Sequence, residues 1–317
     1  MQLRTTAKST ALPIWTYFAL FVAWPGASIA TEVSIPGTSV SINAPDGFTV
    51  ASRFSGLENV QDGSSITVSE MPAEGYDELR QKFSDLNAAT EGFAQHGILV
   101  ERTDTYLAGE QQVPVVIGSQ PIPNGEVYKY MALFRGDVTV LVTFNIFDPQ
   151  TMTEPVVKEI IKSIRLSTAA TLEQKIEQLP FSFQNTAPFR VGDTVGGSGV
   201  WLSTFDGTDP TGLMPRLIIV MAYAPIPASS DIELVARQML RGTRGFDNAE
   251  ITTTEDRSFG GGRGHYLEAL TEERKIVQFV RIPPDGVYVR LAAFGATADL
   301  EAVMPAVSEI AESVSIR

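Results

Sequence analysis

Apolar positions along this chain follow two rhythms, and the order of those rhythms repeats. Val157, Ile160, Ile161 and Ile164 fall at i, i+3, i+4 and i+7, and so do Val307, Ile310, Ala311 and Val314. That spacing is the stripe of an amphipathic helix lying on a sheet, and Pro155 and Pro305 stand where such a helix begins. The segments Pro155–Ile164 and Pro305–Val314 align at a constant offset of 150 residues. Five residue types coincide between them, among them Glu159 with Glu309 and Ser163 with Ser313. Both shared polar residues read as exposed-face positions preserved by duplication.

Upstream of each helix the period changes to that of strands. β-Branched and aromatic runs from Glu126 to Phe134 and from Val138 to Phe144 flank Arg135-Gly136-Asp137. In the second copy, runs from Lys275 to Ile282 and from Val287 to Phe294 flank Pro283-Pro284-Asp285-Gly286. Each pair predicts a hairpin, and the Arg-Gly-Asp triplet reads as turn chemistry because its counterpart is a Pro-Asp-Gly turn. Further upstream, Ile66–Pro72 matches Ile219–Pro225, a strand closed by proline. A helix follows each, striped by Leu79, Phe83 and Leu86 in one copy and by Ile232, Val235 and Met239 in the other. Thr103–Gly109 matches Glu255–Gly261, leading into the next strand.

The expected fold class is α+β: two tandem α/β/α sandwiches, each with a central antiparallel sheet flanked by helices. The units cover residues 31–166 and 179–317, joined by a short helical linker over residues 167–178. Their opening segments are Ala44-Pro45-Asp46-Gly47-Phe48 and Leu179-Pro180-Phe181-Ser182-Phe183. With the strand–Pro–helix step, the Asp-containing approach to the next strand and the closing hairpin–helix, each unit resembles the PsbP-like fold. That fold is shared by photosystem II extrinsic proteins, Ran-binding Mog proteins and bacterial DcrB-like exported proteins. The second unit lacks the Pro-x-Gly-aromatic form of the opening. The resemblance implies non-enzymatic accessory or binding proteins, and it transfers no active residue.

The first thirty residues have a different character. Arg4 and Lys8 precede an apolar run from Ala11 to Trp24, followed by Pro25-Gly26 and the small residues Ala27-Ser28-Ile29-Ala30. This is the layout of a secretory signal peptide over residues 1–30, cleaved after Ala30. The run is shorter than the ~20 residues that span a bilayer, so no stable membrane insertion is expected after cleavage. The expected location is periplasmic or secreted. No Asn-x-Ser/Thr sequon occurs.

Composition narrows the function. Lys plus Arg total 24 against 37 Asp plus Glu, a net charge of −13, which becomes 22 − 37 = −15 once the leader's two cations are removed. Such acidity argues against nucleic-acid partners. Cysteine is absent and there are two histidines, His96 and His265, which excludes thiol chemistry, Cys-based metal sites and disulfide scaffolds. The hydrolase elbow fails at Gly196-Gly197-Ser198-Gly199-Val200, and no metalloprotease, P-loop or dinucleotide signature occurs. No cofactor is expected.

Three segments remain as candidates. In Gly260-Gly261-Gly262-Arg263-Gly264-His265 the backbone amides could approach an anion, with Arg263 and His265 completing a ligand pocket; a simple turn is the plainer reading. Asp206, Thr208 and Asp209 could offer oxygens to a hard cation, though two carboxylates fall short of a coordination shell and an ordinary turn is preferred. Trp201, the only tryptophan outside the leader, reads as buried packing or as an interface anchor. His96 is expected at a helix end, and Glu250, Glu255, Asp256, Glu268, Glu272 and Glu273 read as a solvated acidic face. The leading expectation is a non-catalytic exported module that binds or assembles an envelope component. Its partner would be an envelope protein or a small ligand. The alternatives are a small-anion or metal binder and, behind it, a hydrolytic enzyme with an unrecognised site.

Overall fold

Strands buried alternately or along their whole centre, and helices buried on one side, build two layered units around two sheets. The computed structural model describes residues 31–122, 125–207, 209–222, 229–284 and 286–317. The expected leader lies outside these residues, as do Thr208, Asp285 and the Tyr223-Ala224-Pro225 end of the second strand–proline step.

The first unit runs β1 (Glu32–Ser34), β2 (Val40–Asn43), β3 (Thr49–Val50), β4 (Gly56–Glu58), β5 (Ser65–Met71), α1 (Gly75–Ser84) and α2 (Leu86–Ala94). It continues with β6 (Leu99–Ala108), β7 (Gln111–Ile122), β8 (Gly125–Arg135), β9 (Thr139–Ile146), α3 (Glu154–Ser163) and β10 (Arg165–Leu166). After α4 (Leu172–Glu177) the second unit runs β11 (Phe181–Ser182), β12 (Arg190–Val195), β13 (Gly199–Ser203), β14 (Arg216–Ala222) and α5 (Ile232–Arg241). It ends with β15 (Glu250–Phe259), β16 (Gly262–Leu270), β17 (Arg274–Arg281), β18 (Tyr288–Ala296), α6 (Thr297–Ala302), α7 (Met304–Ser313) and β19 (Ser315–Ile316).

The seven-stranded sheets have the same order, β3-β4-β5-β9-β8-β7-β6 and β12-β13-β14-β18-β17-β16-β15. Every neighbouring pair is antiparallel. Both sheets carry helices on both faces, so the α+β sandwich class is observed. Val157, Ile160 and Ile161 of α3 pack on Val68, Val142 and Phe144. Val307, Ile310 and Ala311 of α7 pack on Ile219, Val289 and Leu291. On the opposite faces, Tyr76, Phe83 and Ala89 cover Val116 and Met131, and Ala236 and Leu240 cover Leu267 and Val280.

The two edge strands carry matching register shifts, between Val100 and Arg102 opposite Gly118 and between Ile251 and Thr253 opposite Ala269. These bulges fix which positions of the sheets correspond. Ser65 opposite Asn145 then corresponds to Arg216 opposite Phe294. The counterpart of Ile66 is therefore Leu217, two residues from the expected Ile219. An even slip keeps each side chain on its face, which is why the apolar pattern tolerated it. The Thr103–Gly109 match moves by one: Asp256 corresponds to Thr105, and both segments are the ends of long strands.

Local chemistry departs from the sequence pattern at three places. The first-unit helix stops at Asp85, whose side chain accepts from the Ala88 amide (2.8 Å) and starts α2, so Leu86 lies exposed outside the stripe. Ser163 and Ser313 do not share the exposure of Glu159 and Glu309. Each donates its hydroxyl to a carbonyl one turn back, Ile160 or Ile310 (2.7 Å each). Each accepts an amide from its unit's opening segment, Asn43 (3.0 Å) or Gln184 (2.8 Å). Directly after them, β10 and β19 pair with β2 and β11, tying the end of each unit to its beginning. The Arg-Gly-Asp triplet is the β8–β9 turn, with Arg135 paired to Asp77 and lying over the Tyr76 ring.

The linker contains the expected helix, started by a capping box between Thr171 and Gln174. Its Lys175 lies between Glu70 of β5 (3.4 Å) and Asp193 of β12 (3.5 Å). The amide and hydroxyl of Ser39 both donate to Glu70 Oε1, at 2.6 and 2.7 Å. At the same junction the Ser55 amide donates to the Gly196 carbonyl (3.0 Å). Gly197, at φ +66°, comes so close that a Cβ would sit 2.1 Å from Ser55 Oγ. The Gly-Gly step that resembles a failed hydrolase elbow is thus a contact between the units.

Candidate functional site

The glycine-rich segment is a hairpin turn. Gly260 and Gly261, at φ +59° and +80°, close β15 onto β16 in the backbone conformation that two-residue hairpins require. Arg281 lies against Gly262 and donates to the Gly260 carbonyl, so a carbonyl facing a cation occupies the place proposed for an anion cradle. Arg263 and His265 do meet, but on Asp256. Arg263 donates to Asp256 Oδ2 (2.6 Å), and His265 Nδ1 lies 3.3 Å from Oδ1. These two contacts, the arginine's foremost, hold the Asp256 carboxyl below the usual carboxylate range. The imidazole is buried, and its Nε2 lies 2.8 Å from Thr254 Oγ1. Thr254 and Asp256 share a face of β15 by the strand's two-residue period, which a search for spaced carboxylates alone does not detect.

The Asp206 loop is satisfied by its own chain. Asp206 pairs with Arg190 (2.5 Å), and Asp209 accepts from the Thr211 hydroxyl (2.5 Å), the Thr211 amide (3.0 Å) and the Met214 amide (2.9 Å). The Thr211 hydroxyl is the main cause of a lowered Asp209 pKa. Among the described residues no group of three or more metal-ligating side chains gathers. His96 sits exposed just beyond the end of α2, its amide donating to Phe93.

Trp201 is not buried: 37% of it is exposed, and its ring covers Gly192, where a Cβ would fall 2.2 Å from the indole. It marks a cavity of about 400 Å3 on the α5 face of the second sheet, whose walls include Arg216, Ile218, Thr243, Arg290 and Phe294. Beside it, α5 packs mainly over β16 and β17, with Ile218 of β14 and Phe294 of β18 at the margin of that packing.

Arg290 is the unusual group here. Its Nε donates to Gln278 Oε1 (3.0 Å) and its Nη2 to Thr243 Oγ1 (2.8 Å). Gln278 is fully buried and in turn donates to the Ala236 carbonyl (2.6 Å), so the guanidinium is fixed to the core and to the end of α5. Among the described residues no carboxylate pairs with it, and burial works against its charge. Arg216 lies over the Phe205 ring and 3.6 Å from Asp209, yet its Nε is shielded from solvent without an acceptor. The corresponding first-unit position is closed chemically: buried Lys129 donates to Asn145 (2.6 Å), and Asn145 donates to Ser65 (3.0 Å). The second copy replaces Ser65 and Asn145 with Arg216 and Phe294, and places Trp201 where the first has Gly56.

A larger groove of about 620 Å3 lies between the opening segment of the first unit and α3, walled by Pro45, Phe48, Met152, Val156 and Ile160. Its lining includes Asp46 and Glu159, and no cation among the described residues. No helix among the described residues is long and apolar enough to cross a membrane.

No family model matches the chain, and no curated protein sequence does. Among solved structures, the chain is similar to LpqN of Mycobacterium tuberculosis, described as involved in cell envelope biogenesis. Identity is 15% over 43% of this chain and 82% of that one, at a TM-score of 0.35. It is also similar to the cyanobacterial PsbP of Synechocystis sp. PCC 6803, at 17% identity over 44% and 87%, with a TM-score of 0.33. The type VI secretion immunity protein TplEi of Pseudomonas aeruginosa aligns over 86% of this chain and 99% of its own, at 8% identity and a TM-score of 0.32.

Proposed function

We propose that the protein is a non-catalytic, exported binding module of the cell envelope, and that it takes a small anionic ligand at the Arg290 cavity. The observation carrying this reading is the fixed, partly buried Arg290 guanidinium with no carboxylate partner among the described residues. A buried charge is costly unless something neutralises it, and a cation oriented in advance beside a cavity is where an anion gains most. The cavity's described walls hold no carboxylate or imidazole for acid–base work. Export rests on the expected leader. A thermal-shift series with small carboxylates and phosphate tests the reading. A ligand at ~100 times its Kd stabilises by about 2.7 kcal/mol. Arg290→Met removes that shift, and Arg290→Lys, which keeps the charge but loses the planar fork, weakens it. An equal shift in both variants refutes the site.

One observation favours a second, hydrolytic reading: the hydrogen-bonded line Thr254, His265, Asp256 has the order of nucleophile, base and orienting acid. Against it, β15 is an edge strand, Asp256 also serves Arg263, and none of the cavities described above is lined by these side chains. Ester hydrolysis by the wild type that vanishes in both Thr254→Ala and His265→Ala would favour this reading over binding.

A further inference from the structure

We infer that the ligand of the Arg290 cavity is an aromatic monocarboxylate, a flat ring carrying one negative charge. This deepens the anion-binding reading and rests on it. Two features of the walls set the class. The first is charge. Arg290 offers one unneutralised guanidinium, whereas Arg216 is partly balanced by Asp209 at 3.6 Å. The local surplus therefore suits a single charge. The protein's overall −13 adds a repulsion that grows with each further negative charge on a ligand.

The second feature is shape. Trp201 presents a partly exposed ring held against Gly192, and Phe294 forms another wall, backed by the Arg274 guanidinium 5.6 Å from its ring centre. Ile218 adds apolar surface from β14. A cavity of about 400 Å3 accommodates a molecule of one or two rings. An inorganic anion would meet the cation but leave the aromatic walls in water. A planar carboxylate satisfies both, accepting from the Arg290 N–H groups that Gln278 and Thr243 leave over while its ring covers the indole. The first unit, sharing the strand order, has Gly56, Ser65 and Asn145 at the positions of Trp201, Arg216 and Phe294 and Leu141 at that of Arg290, and its nearby Lys129 is engaged with Asn145, so it provides neither the rings nor a free guanidinium.

Calorimetric titration of the full protein with benzoate, acetate and inorganic phosphate tests this. Benzoate is expected to bind roughly 10- to 100-fold more tightly than acetate, from burial of its ring. Trp201→Ala should weaken benzoate roughly 3- to 10-fold and leave acetate unchanged, while Trp201→Phe retains most of the affinity. Far-UV circular dichroism checks that each variant is folded. Benzoate no tighter than acetate, or phosphate tighter than both, with binding still lost in Arg290→Met, overturns the aromatic class and leaves the anion site standing. No binding of any of the three overturns both.

Discussion

Lys175→Met removes the cation that joins the linker helix to both sheets, and its cost follows from the burial of its partner. The Glu70 side chain is only 4% exposed and that of Lys175 11%, with 3.4 Å between their charged atoms. At that separation and an effective dielectric near 20, the attraction is ~5 kcal/mol. Desolvation offsets much of this in the intact pair, but the variant keeps the desolvated carboxylate and loses its counter-ion. Breaking such a pair from one side costs about 3–5 kcal/mol. Ser39 continues to donate twice to Oε1, while Oε2 already lacks a hydrogen bond. Adding Glu70→Gln to the variant removes the stranded charge and should recover roughly 1–3 kcal/mol. Equilibrium urea unfolding, followed by circular dichroism and by Trp201 emission, measures both. A loss below about 0.5 kcal/mol for Lys175→Met would show a solvent-screened pair and refute the reasoning. Strictly additive losses in the double variant would do the same.

Three further outcomes follow from single contacts. Ser163→Ala leaves the part-buried Asn43 amide without its acceptor and should cost about 1–3 kcal/mol, while Ser313→Ala, whose bond to the Gln184 amide is exposed, should cost about 0.5–1.5 kcal/mol; melting curves unchanged in both would contradict the pinning role. Glu154 is held down from its ordinary 4.5 to about 2 by its hydrogen bonds, with Lys158 foremost and Arg102 and Tyr106 adding. A depressed carboxylate stabilises the fold above its unfolded pKa, so this contribution is full above about pH 5 and fades as pH falls from 4.5 towards 2. Glu154→Gln should therefore flatten the acid limb of a stability-against-pH profile, and an unaltered limb would count against it. Gly192→Ala places a methyl carbon 2.2 Å from the indole, pushing Trp201 off its support. A shifted emission maximum and weaker benzoate binding are expected, and wild-type values for both would show that Gly192 does not position the ring.

The layers of the fold were legible because burial on one side leaves a period in sequence. Val157, Ile160 and Ile161 face the sheet as their spacing requires, and both closing hairpins turn where Gly, Asp and Pro interrupt apolar runs. Register was less legible, since moving Ile66 by two residues keeps every apolar side chain on its face. The bonding of Ser163 and Ser313 was not legible because helical spacing does not show that a residue near the start of each unit, Asn43 or Gln184, donates its amide to them. The Arg290 cavity was illegible for a stronger reason. Trp201, Arg216, Arg290 and Phe294 come from three strands, and only the register of β13, β14 and β18 gathers them. Arg263 and His265 stood out because glycines surround them, yet those glycines serve a turn and the close packing of Arg281.

The most direct measurement is a crystal of the protein soaked with 4-bromobenzoate and examined at the bromine absorption edge. The account predicts an anomalous peak in the cavity between Trp201 and Phe294, with carboxylate density within hydrogen-bonding distance of Arg290. A peak in the groove beside Phe48 and Ile160, or on the hairpin at Arg263, with the Arg290 cavity holding only water, would contradict it.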